Sequence, residues 1–160
     1  MNHYEDVRAV LYQRAECQIA SAPRGGTPRS AGAGLPVYTF HVTPCPAPRM
    51  SQRDRWAKRP CVLRYFAYRD AVQAQAFEQA FRLPADLAVT FVLPMPASWS
   101  AKRRRLADGL AHQGRPDLDN LCKAFLDAMA SEDGYVWRLR AEKRWGIKGK
   151  VVVGVHNDQP

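Results

Sequence analysis

Acidic residues in the segment 115–128 are spaced in a way that suits chemistry on a phosphate group. Pro116 disfavours the helical conformation for the residue before it, so Asp117 lies in extended chain or at a helix start. Side chains two apart in extended chain point the same way, so Asp117 and Asp119 can face one point. Two such carboxylates make a hard oxygen site that suits Mg²⁺ or Mn²⁺. Lys123, one helical turn after Asp119, can contact a scissile phosphate, so the set fits metal-assisted phosphodiester hydrolysis.

The same residues also have a purely structural interpretation. An aspartate at a helix N-terminus is a common cap. Asp119, Lys123 and Asp127 are spaced by four, and each pair in such a charge ladder contributes about 0.2–0.5 kcal/mol. Spacing alone leaves both interpretations open.

The charge of the chain points to a polyanionic partner. Its 160 residues are enough for one domain, and their formal net charge is +9. Residues 1–116 carry all of the net positive charge, whereas residues 117–160 are balanced. Such a field attracts nucleic acid first and an anionic membrane surface second.

Other features of the sequence exclude several classes of protein. The longest apolar runs are far too short to span a bilayer, and the first residues lack the apolar region of a signal peptide. The four cysteines are scattered and form no C-x-x-C pair, which argues against a zinc site. We therefore expect a cytoplasmic protein with no membrane partner and no small-molecule substrate.

The predicted elements describe one small α/β (α+β) domain over residues 37–160, a mixed β-sheet with two main helices packed on it. An N-terminal extension over 1–36 precedes it, with a weak amphipathic helix at 1–20 and a flexible linker at 21–36. We predict strands at 37–42, 87–93, 135–145 and 150–156, and helices at 62–82 and 119–131. Residues 146–149 look like the turn of a hairpin, and residues 95–116 like a long polar loop.

Basic residues next to tryptophans are candidates for contacts with DNA phosphates, although solvated loops are the alternative. Trp56 lies within the first basic group, at 49–59, and Trp99 lies just before the second, at 102–105. We expect His112 to be a surface-loop residue, and Trp137 and Trp145 to lie in the core or in a dimer interface. The candidate DNA-binding residues are Arg49, Arg53, Arg55, Lys58, Arg59, Lys102, Arg103, Arg104, Arg105, Arg115 and Lys143.

The segment 115–128, with its Pro-Asp-Leu-Asp-Asn-Leu-x-Lys-Ala-x-x-Asp-Ala core, resembles the signature of the RusA family of Holliday junction resolvases. Segments 44–49, 93–100 and 142–146 resemble the phage and prophage branch of that family, and the similarity covers about residues 37–156. It implies a RusA-like mixed fold, a homodimer in a bacterial or phage-infected cell, and binding to four-way junction DNA. It also implies Mg²⁺-dependent paired nicks in DNA recombination and repair. Asp117 and Asp119 would be metal-binding catalytic residues and Lys123 the catalytic lysine.

One departure from the family pattern concerns the chemistry. The family runs from the helix through a glycine into an Asp-Asp-x-Gln segment that supplies a further essential carboxylate. Here residues 134–137 pass directly into 138–143, and that segment is missing. Glu132, Asp133 and Glu142 are the candidates to replace it. Two further hypotheses about function stay open. One is a catalytically impaired junction-binding protein, and the other is a basic dimerising module whose aspartates only brace a helix.

Overall fold

The structure, a computed structural model, describes residues 36–56, 59–130 and 132–155, with the backbone alone at Arg53 and Arg55. All of these residues belong to the compact unit Gly34–Pro160. The predicted helix at 1–20 and linker at 21–36 lie outside the described residues, apart from Pro36. None of the described helices is both long and apolar enough to cross a membrane.

A four-stranded mixed sheet forms the centre of the described unit, as the sequence predicted. Its strands are β1 (Val37–Phe40), β2 (Asp86–Pro94), β3 (Arg138–Gly146) and β4 (Lys150–Val155). Their order is β1-β4-β2-β3; β4 is antiparallel to both of its neighbours, and β2 is parallel to β3. The interior position of β2 follows from its composition, because its alternate residues Leu87, Val89, Phe91 and Leu93 are all buried.

The predicted hairpin between the last two strands is wrong, because β2 lies between β3 and β4. The residues between β3 and β4 carry the chain across the end of β2. Gly146 and Gly149 do not form a hairpin turn there but let the backbone pass close to neighbouring residues. A Cβ at Gly146 would lie 2.3 Å from Cγ1 of Val92, and one at Gly149 would lie 2.6 Å from Cα of Thr43. The crossing is therefore too tight for a side chain at either glycine.

Two main helices cover one face of the sheet, which confirms the predicted number. They are α1 (Pro60–Glu78) and α3 (Leu118–Met129), each close to its predicted range. Phe125 of α3 makes edge contacts with Phe40 of β1 and Phe91 of β2, at ring-centroid distances of 5.6 and 6.4 Å. These rings fix α3 on the sheet.

The predicted long loop contains a short helix, α2 (Ala101–Ala107), which the sequence analysis missed. Ser100 is its N-cap, and the Ser100 side chain accepts a hydrogen bond from the backbone N–H of Arg103. No α2 residue is buried, so the segment lacks the apolar stripe from which a helix is recognised. A serine before a run of good helix formers was the available signal.

The close approach of Gly149 to Thr43 gives a test of how the link before β4 is packed. We expect Gly149→Ala to lower the free energy of unfolding by about 1–3 kcal/mol, because the new methyl group meets the Thr43 backbone. Gly154→Ala is the matched control in β4, where an added Cβ meets nothing within 4 Å. Its effect should stay within about 0.5 kcal/mol. Urea unfolding followed by circular dichroism measures both, and equal effects of the two substitutions would contradict the close approach of Gly149 to Thr43.

Candidate functional site

The start of α3 leaves both predicted metal-binding aspartates facing solvent. Asp117 is the N-cap residue with extended backbone angles, φ −70° and ψ 145°, but its side chain makes no capping hydrogen bond. Asp119 lies in the first turn, and both residues are exposed. The positive end of the helix dipole favours negative charge here. The carboxylate of Asp117 is therefore available for a ligand, and the capping interpretation does not describe it.

The buried side of α3 explains why its acidic side faces outward. Leu121, Ala124, Phe125 and Ala128 are buried and spaced for one helical face. Cys122 is half-buried, and its thiol pKa is raised by burial and, to a lesser extent, by the nearby Asp119. The hydrophobic stripe thus sets the rotation of the helix.

Lys123 pairs with Asp127 rather than with Asp119. The Lys123 Nζ and Asp127 Oδ2 atoms are 3.5 Å apart, which confirms one rung of the charge ladder. The Lys123 side chain is 68% exposed, and an exposed pair of this kind contributes little to stability. Lys123 can therefore leave Asp127 at small cost and contact a phosphate.

Among the residues that the structure describes, no third carboxylate joins the two aspartates. Within the described ranges, no group of three or more His, Cys, Asp or Glu residues is arranged to hold a metal ion. Glu132 and Asp133 are exposed after α3, where the Asp133 carbonyl accepts a hydrogen bond from the Val136 N–H. They form a turn at the end of α3 opposite to the end that carries Asp117.

Glu142 lies on the wrong side of the sheet to complete the site. In β3 it is registered with Thr90 of β2, whose hydroxyl donates to it at 2.9 Å, whereas α3 packs on the face that carries Phe91. Successive strand residues point to opposite faces, so Glu142 and α3 are on different sides. A hydrogen bond from Arg144 holds the pKa of the Glu142 carboxyl below its usual range.

The loop before α3 is folded onto the end of β3. His112 is buried, its ring centroid is 3.9 Å from that of Trp145, and its Nδ1 accepts a hydrogen bond from the Gly114 N–H. The prediction of a surface-loop histidine is therefore wrong, and burial lowers the pKa of this imidazole. Lys143 donates from Nζ to the carbonyl oxygens of Gly114 and Pro116, at 2.8 and 2.7 Å.

The aromatic partners of this loop extend to α2. The Trp99 and Trp145 rings are 4.9 Å apart, and the guanidinium of Arg103 lies 3.9 Å above the Trp99 ring. Trp145 is half-buried, whereas Trp137 is 62% exposed and does not lie in the core. The local sequence pattern could not predict that Trp99 and His112 both pack against Trp145, because these contacts join segments that are distant along the chain.

The basic residues divide into exposed ones and ones used within the fold. Arg104 of α2 donates to the carbonyls of Trp99 and Ala97, and thereby fastens α2. Lys102, Arg103, Arg105 and Arg115 are exposed. The α2 helix therefore presents three cations outward and commits the fourth to its own attachment.

The first basic group is organised around one buried acid. Asp54 is buried and accepts hydrogen bonds from the Arg59 guanidinium and from the backbone and hydroxyl of Ser51. The Arg59 hydrogen bonds hold the pKa of the Asp54 carboxyl well below its usual range. Arg59 also donates to the carbonyl of Arg49, so its guanidinium is largely occupied within the fold.

The structure describes only part of the remaining residues of this basic group. Arg49 is exposed, and so is Trp56, at 90%. The side chains of Arg53 and Arg55 lie outside what the structure describes, as does Lys58. Contacts of these residues with DNA therefore remain predictions.

Comparison with known proteins gives one match and one negative result. No curated protein matches the chain. The family model described as Endodeoxyribonuclease RusA matches residues 41–156, which include α1, α2, α3 and both exposed aspartates. Because this match covers well over half of the chain, the protein belongs to the RusA family of endodeoxyribonucleases.

Proposed function

We propose that the protein is a structure-selective endonuclease that resolves four-way DNA junctions by Mg²⁺-dependent phosphodiester hydrolysis. The observation that carries this proposal is the exposed, uncapped carboxylate of Asp117 at the start of α3, two residues before the exposed Asp119 of the first turn. The family match supports the class of reaction, an endodeoxyribonuclease acting on Holliday junctions.

The donor atoms at the start of α3 fit Mg²⁺. This ion is commonly held by one or two carboxylates, with water and substrate phosphates completing six oxygen ligands. Asp117 and Asp119 supply the two carboxylates, and their exposure leaves room for a phosphate. Bound there, Mg²⁺ or Mn²⁺ would supply Lewis acidity for hydrolysis. Lys123 would bind a phosphate oxygen through its exposed ammonium.

DNA would be held by charge and shape more than by base contacts. Lys102, Arg103 and Arg105 of α2 present donors to phosphates, and Arg115 lies two residues before Asp117. Arg49 and its neighbours supply a second contact region. A homodimer would place two such sites about a twofold axis, where each addresses one of two symmetry-related strands.

A junction-binding protein without nuclease activity is the second candidate function. The described residues hold no third carboxylate near Asp117 and Asp119, and Glu142 lies on the opposite face of the sheet. The basic α2 does not depend on that missing group. This candidate therefore keeps the binding to DNA and loses the cleavage.

Replacement of one aspartate tests the nuclease. We expect Asp119→Asn to lower the rate of paired nicking of a labelled four-way junction in Mg²⁺ by more than about 100-fold. Even the loss of a group that only orients a metal ligand costs about 10–100-fold. Glu78→Gln, at the last residue of α1, is the charge-matched control and should nick normally.

The same gels distinguish the two candidate functions. Linear duplex is the control substrate, and binding is measured in parallel by gel shift. Tight junction binding by the wild type without cleavage in either Mg²⁺ or Mn²⁺ would replace the nuclease with the binding protein. Equal nicking by Asp119→Asn and the wild type would remove Asp119 from the mechanism.

Salt dependence tests the role of α2 in binding. Each lost phosphate contact should reduce the magnitude of the negative slope of log K against log salt concentration by about 0.9. Lys102→Gln with Arg105→Gln should therefore reduce that magnitude by up to about 1.8. Both residues are exposed, and Arg104 stays in place to fasten α2. Arg82→Gln with Lys148→Gln removes the same charges from exposed positions elsewhere. An equal change in the control pair would mean that net charge, not α2, governs binding.

A further inference from the structure

Lys143 was expected to contact DNA, but its ammonium is already engaged by the backbone that delivers Asp117. Its Nζ atom donates to the carbonyl oxygens of Gly114, at 2.8 Å, and Pro116, at 2.7 Å. An ammonium has three N–H donors, so two of them are used here. The side chain is half-buried, in contrast to the exposed cations of α2.

The register of β3 explains how Lys143 reaches this loop. Lys143 is paired with Phe91 of β2, so the two side chains emerge on the same face of the sheet. That is the face on which Phe125 anchors α3. A lysine stem rising from this position runs toward the segment that leads into α3.

A second bond from the same residue holds the other end of the segment. The carbonyl of Lys143 accepts a hydrogen bond from the N–H of His112, at 2.9 Å. Lys143 thus binds residues 112, 114 and 116 at once, through its main chain and its side chain. Trp145, on the same face of β3, adds the ring contact with His112.

The position of Asp117 depends on this attachment because its own side chain gives no anchor. Asp117 is joined directly to Pro116, whose carbonyl Lys143 holds, and its carboxylate makes no capping hydrogen bond. The backbone at residues 116 and 117 therefore sets where that carboxylate lies. A ligand site of two carboxylates requires both to be held in place.

We infer that Lys143 is a positioning residue for the Asp117 carboxylate, and not a contact to a DNA phosphate. The inference rests on the proposed function, in which Asp117 and Asp119 bind a divalent cation. Lys143 acts through the backbone of residues 114–116 and touches neither the cation nor the substrate. Its hold on the backbone fixes the position of Asp117, which the spacing of the two aspartates in the sequence does not determine.

The test compares Lys143→Met, Lys143→Arg and the control Lys148→Met with the wild type. Methionine keeps an unbranched stem and removes all three donors, whereas arginine keeps the charge and donors that can reach two carbonyls. Lys148 is an exposed lysine on the link between β3 and β4, and its replacement removes the same charge. Thermal unfolding of each variant confirms that it is folded.

Mn²⁺ binding to the free protein, followed by electron paramagnetic resonance, is the deciding measurement. We expect Lys143→Met to raise the Mn²⁺ dissociation constant about 10-fold or more, a usual effect of removing a group that orients a metal ligand. Lys148→Met should leave it unchanged, and Lys143→Arg should restore at least part of the affinity. Amide hydrogen exchange should speed up at residues 112–121 in Lys143→Met only.

Junction binding separates positioning from contact with DNA. If Lys143 positions Asp117, Lys143→Met keeps the junction affinity and its salt slope, while the nicking rate falls and the metal concentration for half-maximal nicking rises. A salt slope whose magnitude falls by about 0.9, with normal Mn²⁺ binding, would overturn the inference and assign Lys143 to a phosphate.

The two proposals fail in different ways. A wild type that does not nick junctions removes the nuclease, yet Mn²⁺ binding by Lys143→Met still decides the inference. A wild type that nicks, together with a Lys143→Met variant of unchanged Mn²⁺ affinity and nicking rate, overturns the inference and leaves the nuclease standing. Loss of Mn²⁺ affinity in both Lys143→Met and Asp117→Asn supports the inference whatever the cleavage result.

Discussion

The packing of Phe125 against Phe40 and Phe91 is the contact on which the geometry of the candidate site depends. It fixes α3 on two strands of the sheet at once, and the buried Leu121 on the same side sets the rotation of the helix. Successive residues of an α-helix are about 100° apart around its axis, so a shift by one residue would turn Asp119 toward the core. A hydrophobic contact two turns away thus determines that the acidic residues face solvent.

The fold uses some of its positive charge internally and leaves the rest exposed. Arg59 is bound by buried Asp54, Arg104 by two carbonyls beside Trp99, and Lys143 by the loop before α3. Each of these cations fastens a segment that carries other, exposed cations or the aspartates. These fastened residues do not present their donors outward, but they determine where the exposed cations and the aspartates lie.

Sequence reasoning recovered those features that depend on local periodicity. The apolar spacing of α3 and the short apolar, β-rich run of β2 were sufficient to place both, and the aspartates were placed with α3. Strand pairing is not local, so the glycines at 146 and 149 were read as a hairpin turn when they serve a crossing. The surroundings of His112 and Lys143 were missed for the same reason, since each depends on which strand lies beside which loop.

The two candidate functions differ in whether a third carboxylate is needed at the start of α3. The structure explains how DNA binding could persist without cleavage. The α2 helix is held by Ser100, by the carbonyl contacts of Arg104 and by the stack of Trp99 on Trp145. None of these contacts involves Asp117 or Asp119. A chain that lacks one carboxylate therefore keeps α2 in place, because no carboxylate is among these supports. The two parts share one aromatic contact, since Trp145 also packs against His112 in the loop before α3. In the proposed function, junction binding would therefore depend on α2 and the loops, whereas cleavage would depend on the start of α3.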